Sequence, residues 1–367
     1  MTADITLIEK REELKRRLAA GEYRTLIDGL LDGTGLLIQK ITRRRQKISP
    51  WLSSAIMYFI VLLAGLIILV SVTSESVLRD GAGVIAIIFL INLLLGYLSI
   101  PGLVVGNSYV HYVFTVFHND VLDAVQSIDA VEDFEDWLKN VCNQKMHLLI
   151  SLIVGVPVGM FFIYGYSGIG FDVRISVTIL LLSIGNFMFL YLLLYMVLLS
   201  ARIGRYELKL YTANPSSSQV IAELANLLSK FVYLVALYAS YLALVFLMSG
   251  ILVIGAVVVL VLLLFWVPII AMFFINQNSL SNIIQKAKWK TLSDIQKRVE
   301  QLHLSKKLGD SGTMETINRL MDYHDRIKDS SNSTINLGTV LNLANSLLLP
   351  LLALTLANLD KILDLFR

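Results

Sequence analysis

Residues 231–274 read FVYLVALYASYLALVFLMSGILVIGAVVVLVLLLFWVPIIAMFF, and they decide the fold class. No Asp, Glu, Lys, Arg or His interrupts them. The hydrocarbon core of a bilayer is about 30 Å thick and a helix rises about 1.5 Å per residue, so about 20 apolar residues cross it once. The stretch therefore holds two crossings, Phe231–Leu247 and Ile251–Phe274, joined by the short turn Met248–Gly250.

Two further pairs of apolar runs lie upstream: Trp51–Thr73 with Ala82–Val105, and Leu148–Tyr166 with Ile175–Leu199. A seventh run, Leu337–Leu359, stands alone and is interrupted by Pro350; it spans, re-enters or packs inside the bundle. The expected fold is an all-α polytopic integral membrane protein, with six transmembrane helices in three hairpins, a seventh membrane-embedded C-terminal helix and helical cytoplasmic elements. Composition agrees, since 56% of the 367 residues are hydrophobic and 16% charged, against about 45–50% and 25% in soluble domains. A net charge of +3 provides no global field of the kind nucleic-acid binders carry.

Lys and Arg beside the spans set the orientation. Arg43, Arg44, Arg45 and Lys47 precede the first span, Arg202, Arg205 and Lys209 follow the fourth, and Lys286, Lys288 and Lys290 follow the sixth. The opposite connections carry only Arg79 and Arg174 as cations. The N-terminus is thus expected in the cytoplasm, with the protein in the plasma membrane, specifically a bacterial inner membrane. Glu9–Arg17 is charged where a signal peptide would be apolar, so the first span is expected to drive insertion.

The chain divides accordingly. Residues 1–49 are cytoplasmic N-terminal helices, 50–106 the first hairpin, 107–146 acidic cytoplasmic helices and 147–200 the second hairpin. Residues 201–230 form a cytoplasmic loop and helix, 231–275 the third hairpin, 276–335 a cytoplasmic helical hairpin and 336–367 the C-terminal helix. Basic minus acidic counts are 11 − 7 over 1–49, 2 − 7 over 107–146, 4 − 2 over 201–230 and 10 − 7 over 276–335. The acidic segment either docks on its basic neighbours or presents a solvated face. Apolar residues at three- and four-residue spacing make each long segment helical, and no strand pattern occurs. Asp129 with Glu132, and Ser216 with Gln219, are expected to cap helices. The second of these helices is expected to run straight into the fifth span. Leu292, Ile295, Val299 and Leu302, then Ile317, Leu320, His324 and Ile327 after a turn at Gly309–Gly312, form one packed seam.

Enzyme chemistry has no support. The chain lacks G-x-x-x-x-G-K, G-x-G-x-x-G, G-x-S-x-G and H-E-x-x-H motifs. Charged residues are missing from the span interiors, which argues against proton relays and voltage sensors. No catalytic residue, metal site or cofactor is expected. The cluster Asp322–Arg326, with His324, is read as a helix surface, and the run Asp129–Asp136 as a solvated face without EF-hand spacing. Asn332-Ser-Thr334 is a glycosylation sequon on the side where it is unused. The lone Cys142 makes no internal disulfide.

Three features remain. Gly102–Gly106 and Gly155–Gly159 are G-x-x-x-G motifs that let backbones approach, within or between protomers. Ser176, Ser183 and Asn186 form a polar stripe beside Tyr191 and Tyr195. In the C-terminal run, Thr339, Asn342 and Ser346 share a helix face with Asn345 one position aside, followed on that face by Leu349 and Ala353. Uncharged polar groups against lipid need water or a polar partner. A pore lined by these residues with an apolar constriction is one reading; hydrogen bonding inside the protomer is the other.

The expected function is a homo-oligomeric membrane channel or pore-forming effector gated by its cytoplasmic helices. The rival is a non-conducting membrane scaffold or signalling subunit that binds a partner protein through those helices. Expected partners are the lipid bilayer, further copies of the chain and no nucleic acid. Arg202, Arg205, Lys209, Lys286, Lys288 and Lys290 form a collar that meets anionic headgroups, or more sharply an anionic cytoplasmic ligand. With Cys142 replaced, a single cysteine at Ser167 should react with an impermeant thiol reagent on intact cells, and one at Thr2 should not; the reverse pattern overturns the orientation.

Overall fold

The computed structural model describes residues 2–42, 48–72, 99–166, 173–248, 255–304, 311–331, 341, 344, 345, 347 and 348. Its helices are α1 (Thr2–Ala19), α2 (Leu26–Thr42), α3 (Pro50–Val72), α4 (Ser99–Val116), α5 (Ile128–Val141), α6 (Gln144–Tyr166), α7 (Val173–Ile203), α8 (Gln219–Met248), α9 (Gly255–Leu304) and α10 (Ser311–Asp329). Among the described residues there are no strands, only one antiparallel bridge, Val125 with Leu208. Among the described residues five helical segments are long and apolar enough to cross a membrane: 100–124, 144–161, 179–203, 219–242 and 266–304. Residues 82–98, the larger part of the second expected span, and Arg43, Arg44, Arg45 and Lys47 lie outside the described residues.

The helices run past the limits read from hydropathy. α8 is one helix from Gln219 to Met248, so the expected continuity into the fifth span holds. α9 extends 50 residues, about 75 Å at the helical rise, and so joins the apolar run expected as the sixth span to the first arm of the seam in one helix. α4 continues beyond Val105, passes through a π-helical stretch at Phe117–Val121 and ends in one more turn, Leu122–Ala124. Two caps differ from expectation. Ser127 starts α5, its hydroxyl accepting from the Ala130 amide, in place of Asp129. Pro215–Ser217 forms a 3₁₀ turn, so Ser216 lies outside α8 and donates to Asn214 instead.

The core sits where α5 docks under α4 and α7. Phe117 stacks on Phe134 at 3.9 Å, Phe134 stacks on Trp137 at 5.6 Å, and Trp137 donates to the Tyr195 carbonyl at 2.7 Å. The extra residue of the π stretch resets the helix register, and Phe117 within it is fully buried in this stack. Gln126 and Lys209 amides donate to the Glu207 and Ala124 carbonyls, clamping this layer to the chain after α7. In the seam, Leu292, Ile295 and Ile327 form a separate small core, with Val299, Leu320 and Tyr323 packed on it. His324 lies there beside Gln296, on the helix surface the sequence implied.

The second G-x-x-x-G packs within the chain. A Cβ on Gly155 would lie 2.9 Å from the Ile184 Cα, and one on Gly159 2.9 Å from Leu180 and 3.3 Å from its Cα. The first motif is asymmetric, since Gly106 faces the Phe189 ring and Gly102 faces open space. Gly155→Val should therefore force α6 and α7 apart and cost about 1–3 kcal/mol, read as a lower melting temperature in detergent; Gly102→Ala should leave it unchanged.

Candidate functional site

α1 is a basic helix laid on the acidic layer. Lys10 pairs with Glu132, Lys15 with Asp123, and Arg17 with Glu135 at 2.8 Å, while Arg11 donates to the Asp123 carbonyl. Leu7 and Leu14 bury the apolar side of the same helix. Asp133, from the middle of the acidic run, accepts from Arg202 at 3.2 Å and Tyr206 at 2.9 Å. The 107–146 segment thus docks on its basic neighbours. Exposed pairs of this kind each contribute about 0.2–1 kcal/mol, so apolar burial holds the layer together and the charges fix its register. Burial alone would raise the Glu135 pKa, but Lys139 and Arg17 outweigh it and hold the carboxyl below its ordinary value.

A partly buried polar node joins α2 to α4. Thr25 and Asp28 form a reciprocal box at the start of α2: the Asp28 amide donates to Thr25 Oγ1, and the Thr25 amide donates to Asp28 Oδ2 at 2.9 Å. Asn107 Nδ2 donates to Asp28 Oδ1 at 2.6 Å, the Thr25 hydroxyl bonds to Asn107 Oδ1, and His111 Nε2 lies 2.9 and 3.0 Å from the two carboxylate oxygens. A carboxylate only accepts, so Nε2 carries the proton. Burial would raise the Asp28 pKa; the bonds from His111 and Asn107, the His111 charge and the Thr25 amide prevail and lower it from 3.8 to about 2. With both oxygens occupied, Asp28 is a structural acid and not a waiting proton acceptor. Beside it opens a cavity of about 660 Å³, walled by Arg24, Asp32, His118, Asn119 and Pro50. Among the described residues no three His, Cys, Asp or Glu side chains come together to hold a metal ion.

The expected collar residues converge, yet several are committed to the protein itself. Lys286 donates to the Arg205 and Gly204 carbonyls at 2.9 and 3.3 Å, just past the C-terminus of α7. Lys288 is buried and donates at 2.7 Å to the Lys328 and Ser330 carbonyls at the end of α10. Both ammonium groups sit where orphan carbonyls and the helix dipole favour a cation. Lys290 bonds to Gln126, Arg202 to Asp133, and Arg205 and Lys209 are exposed.

Several polar groups in and beside the apolar helices are also paired inside the chain, while Ser54 Oγ and Trp266 Nε1 are buried without a partner. Ser183 donates to the Gly155 carbonyl at 2.8 Å, Ser200 to Asn276, Ser279 to the Ser200 carbonyl, and Asn276 to the Leu228 carbonyl. His147, fully buried, bonds through Nε2 to the Met188 carbonyl and stacks on Tyr191. Of the expected pore residues, Thr339, Asn342, Ser346, Leu349 and Ala353 lie outside the described residues. Asn345 is described, helical and exposed, whereas Leu347 two positions on packs against the core. Cys142 is half-buried, and burial together with the Asp28 charge pushes its thiol up to about 12, which leaves it unreactive.

Sequence reading named neither the Asp28 node nor the cavity. The signal was present in Thr25-Leu-Ile-Asp28, an S/T-x-x-acid box at the head of an apolar helix. Because its folded pKa is depressed, Asp28 contributes stability that is complete above about pH 4 and lost as pH falls through about 2. Asp28→Asn should cost on the order of 2 kcal/mol at pH 7, and the gap to wild type should close between those two pH values in detergent melts.

No family model matches the chain, and neither a curated protein nor a solved structure matches it.

Proposed function

We propose that this chain is the subunit of a homo-oligomeric membrane channel whose conduction is set by its cytoplasmic helices. It has six spans, a membrane-embedded C-terminal helix and a cytoplasmic N-terminus. One observation carries the reading: Asn345 is exposed on the side of its helix away from Leu347, which packs on the core. An amide facing lipid is expensive unless it meets water or another copy. By sequence spacing, Asn342, Ser346 and Leu349 lie near the same face, so several copies would ring a polar path closed by leucines. Ser183, Ser200, Asn276 and Ser279 are paired inside the chain, which makes them poor candidates for pore lining. α9 supplies a lever, because one unbroken helix joins the sixth span to the hairpin with α10.

A second reading, a non-conducting scaffold that binds a partner protein, is favoured by the same intrachain pairing. The two separate in liposome flux. Leu349→Ser should raise basal leak, while Asn342→Leu and Asn345→Leu should lower flux without loss of thermal stability. A Leu349→Ser protein that inserts at wild-type level, melts lower and does not leak would overturn the channel in favour of the scaffold.

A further inference from the structure

We infer that α2 is an in-plane membrane anchor, lying along the bilayer surface with its outer face in the acyl boundary. The inference rests on the apolar helices crossing a bilayer and is independent of whether they conduct. α2 touches two span starts at once. Near its beginning, Gln144 in the first turn of α6 donates to the Thr25 carbonyl, and its amide nitrogen lies 3.9 Å from where a Gly29 Cβ would stand. Further along, Gly35 faces Ser53 in the first turn of α3 at 3.4 Å. Gly29 and Gly35 are six residues apart, about 9 Å along the helix, so α2 meets the starts of α6 and α3 at separate points along its length.

Its two sides differ in what they meet. Ile27 and Leu31 are buried and Asp28 is tied to Asn107 and His111 on α4. Leu30, Leu37 and Ile41 recur at seven and four residues along a flank roughly 110° around the helix from the buried side and are 45%, 61% and 79% exposed, with Leu36 further round at 65%. A row of large aliphatic side chains left open to water would be a liability. Trp51 and Leu52, at the start of α3 beside Ser53, are exposed as well. Lys40 closes the helix, and Arg43, Arg44, Arg45 and Lys47 follow in the sequence. Aliphatic residues on one face and cations at the end are the composition that an anionic leaflet surface holds in its plane. The occupant is therefore lipid.

Spin labels test this on the full chain with Cys142→Ser, in vesicles of phosphatidylcholine and phosphatidylglycerol. Labels at Leu30, Leu37 and Ile41 should relax more with oxygen than with a water-soluble nickel chelate, and a label at the exposed Glu9 should show the reverse. Leu30 and Ile41 are about 16 Å apart along the axis, yet their oxygen-to-nickel ratios should agree, since both ends lie at one depth. Nickel dominance at all three positions would place the face in water and overturn the inference. A steep depth difference between Leu30 and Ile41 would overturn the in-plane orientation. Low access to both reagents, with dipolar broadening that vanishes on dilution with unlabelled chain, would assign the face to a second copy instead.

Discussion

A polar group carried among apolar helices must be given a partner, because neither lipid nor a packed core supplies one. Much of this structure answers that demand. Ser183 reaches the Gly155 carbonyl, and Ser200, Asn276 and Ser279 form a chain of bonds that ends on the Leu228 carbonyl. These bonds need helices close enough to touch, which Gly155 and Gly159 allow by leaving room for the backbone around Ile184 and Leu180. Pairing and close approach are thus one condition: remove the glycine and the serine loses its acceptor.

The same logic governs the helix ends. Each helix leaves carbonyls without intrahelical donors at its C-terminus. Lys286 answers those past α7 and Lys288 those past α10, both from the single rod of α9. A displacement of α9 would strain both caps together, which makes the rod a shared element between the spans and the small core of α9 with α10. Lys290, bonded to Gln126, extends this tie to the layer where Phe117, Phe134 and Trp137 stack.

Charge then selects among the arrangements that apolar burial permits. α1 buries Leu7 and Leu14, but its register on the acidic layer follows from Lys10, Lys15 and Arg17 each meeting a carboxylate. Asp28 is the deeper case. Burial alone would favour its neutral form, and only the donors assembled from α2 itself and from α4 keep it ionised. The node ties α2 to α4 through the side chains of Thr25, Asp28, Asn107 and His111.

The sequence by itself determined the all-helical class, the presence of helices long and apolar enough to cross a membrane, the continuity of α8 across residues 219–248, and the opposition of an acidic segment to basic neighbours. Those features follow from local periodicity and regional charge, which need no knowledge of contacts. It also held the Thr25–Asp28 box, a local pattern of the same kind. Tertiary structure alone decided that Asp28 meets His111, 83 positions away, and that Lys286 and Lys288 serve carbonyls. It decided too that Gly155 packs inside the chain while Gly102 is open. The π-helical stretch that accompanies Phe117 in the aromatic stack belongs with these, since nothing in its residues breaks the helical pattern. Long-range partners are chosen by how whole helices fit, and spacing along one helix carries no record of which neighbour will stand beside it.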